Sequence, residues 1–213
     1  MDVKRIRIKI CGIASEEAVV VAVDAGADAL GFVFADSPRA VDPKRAAELA
    51  RAMPPFVSKV AVFFNAGSEE IRRVLEVFPA DLVQTEPIDG LERTVPLLPV
   101  FHDAEDVVDR VGRLSACFAT VLFEASGRGG RGAVPSWARA ARIARDRRLV
   151  LAGGLTPENV GGAIERVRPF AVDVSSGVES SRGIKDATLI HAFARAVRES
   201  EQKQLTFGQT ENQ

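Results

Sequence analysis

Short apolar segments alternate along the chain with longer segments in which apolar residues recur at helical spacing. Repetition of this alternation from one end to the other is typical of a parallel α/β fold. Eight of the apolar segments are predicted to be strands. They comprise residues 6–11, 29–34, 59–63, 82–84, 98–101, 120–124, 149–152 and 171–175.

Three of the intervening segments show the i, i+3, i+4, i+7 pattern of a helix that packs on one face. Their apolar faces consist of Ala18, Val21, Ala22 and Ala25; of Ile71, Val74, Leu75 and Phe78; and of Val160, Ala163, Ile164 and Val167. Asp42-Pro43 and Thr156-Pro157 are predicted helix starts, because the first residue can cap free N–H groups and proline suits the first turn.

The number of β/α units indicates how the strands are arranged. About eight units in roughly 200 residues, with no linker between them, favour a closed parallel barrel over an open sheet. We therefore expect residues 1–199 to form a single-domain TIM (β/α)8 barrel. The connection at residues 86–96 is short and contains prolines, so its helix should be stunted or absent. Residues 200–213 are polar and rich in glutamine, which predicts a tail without fixed structure.

The charge balance and the cysteine content narrow the class of protein. The chain has 28 Lys and Arg against 29 Asp and Glu, which argues against a nucleic-acid binder. Residues 1–9 do not resemble a signal peptide, and no segment approaches the roughly 18 apolar residues of a membrane span. Two cysteines and two histidines, far apart, predict neither a disulfide scaffold nor a metal site. We therefore expect a cytoplasmic, metal-free protein.

Strand parity predicts which side chains meet at the mouth of the barrel. Alternate residues of a barrel strand face inward, and catalytic residues lie at the carboxyl ends of the strands. Cys11, Glu124 and Asp173 should therefore converge, because their apolar neighbours face the helices. Two simpler interpretations stay open: Cys11 could only pack, and the acids could only neutralise interior lysines, Lys9 and Lys59.

Two glycine-containing loops predict a phosphate site. Gly153 and Gly154 follow the seventh strand, and Ser175, Ser176 and Gly177 follow the eighth. TIM barrels commonly bind phosphate at these two loops through backbone N–H groups and a helix N-terminus. A single Gly-Gly pair is more often only a turn, but glycines in both loops favour a phosphorylated small-molecule ligand.

Two further segments lie at the same rim. The glycine- and arginine-rich loop at residues 126–132 resembles a lid, although an exposed turn fits it equally well. Arg39 follows the second strand and could bind a carboxylate, although a single loop arginine usually binds nothing specific.

Four runs of sequence, in this order, resemble the phosphoribosylanthranilate isomerase family of tryptophan biosynthesis. They are Lys9-Ile10-Cys11-Gly12-Ile13, residues 26–34 together with Ser37-Pro38-Arg39, residues 153–160, and residues 168–179. The resemblance extends from about Lys9 to Ala196. The resemblance is specific to this family, because several long runs of sequence match it in the same order.

The resemblance implies an Amadori rearrangement without a cofactor. In that reaction an acid opens the ribose ring at its oxygen, and a base removes the C2 proton of the resulting Schiff base. Cys11 matches the family's base, and Glu124 stands where the family has its acid, an aspartate. Arg39 matches the residue that holds the anthranilate carboxylate, Asp173 matches an aspartate near the amine, and the two phosphate loops match as well. We expect a monomer or a weak homodimer.

The chain departs from the family pattern on one side of the barrel. Glu86 stands where the family usually has histidine, a usual lysine is missing near His102, and Glu124 replaces aspartate. The loop at residues 126–132 also differs. These departures leave two alternatives to the isomerase of the anthranilate substrate. One is a related isomerase of a different phosphoribosyl amine, and the other is a phosphosugar-binding barrel that has lost catalysis.

Overall fold

The fold was obtained as a computed structural model, which describes residues 5–88, 95–125 and 133–210, with side chains as far as residue 203. Eight parallel strands form a closed barrel in sequence order, and the eighth pairs with the first. They are β1 Arg7–Cys11, β2 Ala29–Val33, β3 Ser58–Val62, β4 Leu82–Thr85, β5 Leu97–His102, β6 Thr120–Glu124, β7 Arg148–Leu151 and β8 Ala171–Val174. The predicted TIM barrel and its eight strands are therefore confirmed.

Helices surround this barrel. They are α1 Glu16–Asp24, α2 Pro43–Leu49, α3 Ser68–Val77, α4 Val107–Gly112, α5 Trp137–Asp146, α6 Val160–Val167 and α7 Ala187–Thr210. An antiparallel hairpin, formed by β9 Glu179–Ser181 and β10 Ile184–Lys185, follows β8. In the connection at residues 86–96, the described residues 86–88 and 95–96 are not helical.

One of the two predicted helix starts is right and the other is wrong. Asp42 caps α2 by accepting a hydrogen bond from the Lys44 N–H at 2.9 Å, and Pro43 is the first helical residue. Thr156-Pro157 does not begin a helix, because α6 begins at Val160. Asn159 explains the difference, since its side chain accepts from the Thr156 N–H and donates to the Gly154 carbonyl, both at 2.8 Å. These bonds hold a turn before the helix.

The packing confirms the predicted strand parity. Ile8, Ile10, Val172 and Val174 are buried in the layer between strands and helices, as are Val121 and Phe123. A second set, which includes Leu98, Val100, Leu122 and Val150, fills the barrel interior. Lys9 points inward as expected and is 4% exposed. The expectation for Lys59 is wrong, because it is partly exposed and its ammonium lies 3.7 Å from Asp81.

The C-terminal segment also differs from its prediction. Residues 200–210 belong to α7 and are not an unstructured tail, while 211–213 lie outside the described residues. Polar contacts stabilise this extension: Ser200 donates to the Ala196 carbonyl at 2.8 Å, and Glu201 accepts from Arg198 at 2.7 Å and from the Ile6 N–H. Across the described residues, no helix has the length and apolar character needed to cross a bilayer.

Candidate active site

The carboxyl ends of the strands surround a cavity that opens to solvent. Cys11, Glu124 and Asp173 all line it, which confirms their predicted convergence. Arg39, Gly153, Gly154, Ser175 and Ser176 line the same cavity. Gly177 does not line the cavity; it packs against the Leu155 carbonyl of the neighbouring loop. The cavity therefore brings together most of the candidate residues, from five different segments of the chain.

Cys11 lies at the end of β1 beside a buried ion pair. The Lys9 ammonium donates to Asp173 at 2.9 Å, and both side chains are buried. Burial raises the pKa of the Cys11 thiol above its ordinary value, and the Lys9 ammonium opposes this rise. The thiol is therefore harder to ionise than an exposed cysteine. A side chain on Gly31 would come within 2.9 Å of the Cys11 sulfur, so glycine makes room for the thiol.

Glu124 lies at the end of β6 and points into the same cavity. Its side chain is 10% exposed. Burial raises the pKa of its carboxyl to about 7, although the nearby His102 lowers it. A carboxyl with this pKa is still protonated in about half of the molecules at pH 7, so Glu124 can act as a general acid.

His102, at the end of β5, lies between two carboxyl groups. Its Nδ1 is 3.4 Å from Glu124 Oε1, and its Nε2 is 3.6 Å from Glu86 Oε1. Glu86 is itself held by the Asn65 N–H, which donates to Oε2 at 3.0 Å. His102 lowers the pKa of Glu86 to about 2, and Glu86 in turn raises the pKa of the imidazole. Strand register sets this arrangement, because His102 and Glu124 are partners across β5 and β6.

The two glycine-containing loops pack directly against each other. A methyl group on Gly177 would lie 1.9 Å from the Leu155 carbonyl oxygen, so no larger residue fits there. Among the described residues, none accepts a hydrogen bond from the N–H of Gly154 or Ser176. These donors lie at the cavity wall, where a phosphate could accept from them.

Arg39 is held at the rim by a buried carboxylate. Its Nε and Nη2 donate to Glu179 at 2.7 and 2.8 Å, and Lys185 donates to the same carboxylate at 2.8 Å. Burial opposes ionisation of Glu179, but the hydrogen bonds from Arg39 and Lys185 lower its pKa to about 2. Lys185 also donates to the Ser175 carbonyl at 3.0 Å, so this cluster joins Arg39 to a phosphate loop. In the part of the chain that the structure describes, no group accepts from Nη1 of Arg39.

Sequence reasoning missed several polar residues of this site. Gln84 faces the cavity from β4, a position that strand parity could have identified. His102 ends β5, so the same rule could have placed it at the mouth. Glu179 and Lys185 gave no such signal, because the hairpin after β8 brings them to Arg39. The lid prediction for residues 126–132 lies outside the described residues.

Comparison with known proteins agrees with this geometry. The family model described as N-(5'phosphoribosyl)anthranilate (PRA) isomerase matches residues 8–196. The chain belongs to the phosphoribosylanthranilate isomerase family. The matched region runs from β1 into α7, so it includes every strand of the barrel and all the candidate residues named above.

Relatives and solved structures of the phosphoribosylanthranilate isomerase family cover nearly the whole chain. N-(5'-phosphoribosyl)anthranilate isomerase from Pseudomonas aeruginosa PAO1 is 45% identical over 91% of this chain and 95% of its own length. Monomers of the dimeric enzyme from Thermotoga maritima superpose with a TM-score of 0.79 at 34% identity, covering 91% and 99% of the two chains. A phosphoribosylanthranilate isomerase in complex with reduced 1-(o-carboxyphenylamino)-1-deoxyribulose 5-phosphate superposes with a TM-score of 0.78, also at 34% identity and covering 91% and 99% of the two chains.

Proposed function

We propose that Cys11 and Glu124 act as base and acid in the isomerisation of N-(5'-phosphoribosyl)anthranilate. The chain is an intramolecular oxidoreductase that converts this compound to 1-(o-carboxyphenylamino)-1-deoxyribulose 5-phosphate in tryptophan biosynthesis. The observation that carries the two roles is the position of Glu124: its carboxyl is 10% exposed and lines the same cavity as Cys11, and this burial raises its pKa to about 7.

The first step needs an acid at the ribose ring oxygen. Glu124 gives its proton to that oxygen, the bond from C1 to the oxygen breaks, and the nitrogen lone pair forms a C=N bond. The Cys11 thiolate then removes the C2 proton. The electrons of that C–H bond form a C1=C2 double bond, and the π electrons of the C=N bond return to nitrogen as a lone pair. The resulting enol becomes the ketone when its hydroxyl proton is lost and C1 gains a proton. No redox cofactor enters this sequence.

Binding of the substrate is assigned to the remaining residues of the cavity. The free N–H groups of Gly154 and Ser176, with Gly153, Ser175 and the packing at Gly177, support a phosphate site at the loops after β7 and β8. Nη1 of Arg39 is available for the anthranilate carboxylate, since Glu179 takes the other edge of the guanidinium. Asp173 is assigned to the amine, beside its ion pair with Lys9.

The pH dependence of kcat/KM tests the two roles together. The active form has a protonated Glu124 and an ionised Cys11, so it is most abundant while the pair holds a single proton. We expect a bell-shaped profile that rises through about pH 7, the pKa of Glu124, and falls above the ordinary thiol pKa of roughly 8.5. Anthranilate fluorescence follows the reaction. A profile without the rise near pH 7 would contradict the assigned pair.

Inorganic phosphate should raise the melting temperature of the protein. A ligand that binds only the folded state stabilises it by about 2.7 kcal/mol at 100 times its Kd. Thermal melts in phosphate, compared with chloride at equal ionic strength, measure this effect. Ser176→Asp places a negative charge beside the phosphate and should remove the stabilisation, whereas Ser180→Asp on the exposed edge of the hairpin should retain it. Equal melting temperatures in both salts would disprove the site.

The oligomeric state is inferred from a relative, and the cellular compartment from the proposed role of Cys11. The Thermotoga maritima relative is described as dimeric, which supports a homodimer, and we retain the expectation of a monomer or a weak dimer. Light scattering across a range of concentrations distinguishes these states. The proposed use of Cys11 as a free thiol supports a reducing, cytoplasmic compartment.

A further inference from the structure

The feature that the proposed mechanism leaves unused is the contact of His102 with two carboxyl groups. Its Nδ1 and the Oε1 atom of Glu124 are both inaccessible to solvent, and within the described residues neither has a hydrogen-bond partner. The 3.4 Å between them is an ion-pair distance without hydrogen-bond alignment. These two buried atoms therefore face each other at 3.4 Å with their hydrogen-bonding capacity unused.

Glu86 provides the counter-charge on the other side of the ring. It lies 3.6 Å from Nε2 and is itself anchored, since it accepts from the Asn65 N–H at 3.0 Å. An imidazole between two carboxyl groups is stabilised as the cation, because each carboxylate attracts its charge. The residue after His102 does not compete, since Asp103 accepts from the Ser136 N–H at 2.7 Å and from Arg139 at 2.6 Å.

We propose that Glu86 holds His102 as a cation, and that this cation stabilises the carboxylate left on Glu124 when it protonates the ribose ring oxygen. The inference rests on the proposed role of Glu124 as the acid. Glu124 becomes negatively charged inside a buried site at that moment, which is costly unless a positive group is adjacent. His102 is therefore a positioning residue, which acts on the substrate through Glu124.

The other charges near Glu124 do not replace His102. Lys9 lowers and Asp173 raises the pKa of Glu124, and these two groups already pair with each other at 2.9 Å. The carboxylate of Glu86 also raises the pKa of Glu124, because it repels the negative charge of an ionised Glu124. His102 is thus the group whose attraction for the carboxylate of Glu124 is largest.

His102→Asn tests the proposal. Without the cation, the pKa of Glu124 rises and the carboxyl becomes a weaker acid. We expect kcat to fall by about 10- to 100-fold while KM changes little, because the phosphate and carboxylate contacts are elsewhere. The rising limb of the pH profile should move to higher pH. His191→Asn, at an exposed position of α7, is the matched control and should leave kcat and the profile unchanged.

Glu86→Gln separates the charge of Glu86 from its contact with Asn65, because the amide oxygen can still accept from that N–H. It should shift the rising limb in the same direction by a smaller amount. In the His102→Asn background it should no longer move the rising limb to higher pH, because the cation that it supports is absent; only the loss of its direct repulsion of Glu124 remains, which moves the limb slightly to lower pH.

A direct titration of Glu124 by NMR of labelled glutamate distinguishes an electrostatic effect from a structural one. A higher pKa for Glu124 in His102→Asn supports the proposal. A lower kcat without a change in that pKa, or wild-type kcat together with a wild-type profile, overturns it. Glu124→Gln separates the two levels of inference: if it is inactive and His102→Asn is normal, only the role of His102 fails. If Glu124→Gln is fully active, the assignment of the acid fails first.

Discussion

Replacing Cys11 with serine should lower kcat by on the order of 10²- to 10⁴-fold and leave the fold intact. A serine hydroxyl does not ionise in the accessible pH range, so it cannot remove the C2 proton as a thiolate does. The hydroxyl is slightly smaller than the thiol, and the contact with Gly31 leaves room for it. Melting temperature and the affinity for the reduced product analogue should stay close to those of the unmodified protein.

Cys117→Ser is the matched control, because Cys117 is exposed and lies outside the cavity. It should retain full activity. Retention of most activity in Cys11→Ser would show that another group is the base, and Cys11 would then serve only for packing at the end of β1.

Glu124→Gln should cause a loss of kcat of the same order, since the amide has the size of the carboxyl but no proton that it can give to the ring oxygen. KM should change by less than about 3-fold, because the phosphate loops and Arg39 are untouched. The removal of a buried acid with a raised pKa should not destabilise the fold near pH 7. Full activity in this variant would show that Glu124 is not the acid.

Glu124→Asp tests whether the site is adapted to glutamate. The shorter side chain withdraws the carboxyl from His102, now at 3.4 Å, and from the position that its neighbours define. A misplacement of about 1 Å can cost on the order of 10²-fold in rate, so we expect Glu124→Asp to lower turnover. A higher turnover would show that glutamate is an uncompensated substitution. It would also remove the reason to consider a different phosphoribosyl amine as the substrate.

The convergence of Cys11, Glu124 and Asp173 could be predicted from the sequence because it depends only on period-two alternation in strands. The apolar partners of each residue identify the outer face, and the remaining positions must face the interior. Strand order in a barrel also placed the two glycine-containing loops side by side, as the contact of Gly177 with the Leu155 carbonyl shows, whereas phosphate binding there stays a prediction. These inferences succeed because they use local patterns and one topological rule.

Contacts between distant segments could not be predicted in the same way. Arg39 and Glu179 are 140 residues apart, and their pairing depends on the hairpin that follows β8. The extension of α7 depends on the Glu201 contact with the first strand region, which polar composition does not reveal. The raised pKa of Cys11 depends on burial in three dimensions, so a family motif cannot indicate it.

The contact of Gly177 with the Leu155 carbonyl determines which parts of the cavity can accept substitutions. The spacing between the two phosphate loops is set by touching backbones, so it does not depend on which side chains stand elsewhere at the mouth. Glu86, His102 and Glu124 lie at or just after the carboxyl ends of β4 to β6, and none of them takes part in this contact. Substitutions at these three positions therefore need not disturb the packing of the two loops, so the acid and the charges on that side of the cavity can change while the spacing between the loops stays fixed.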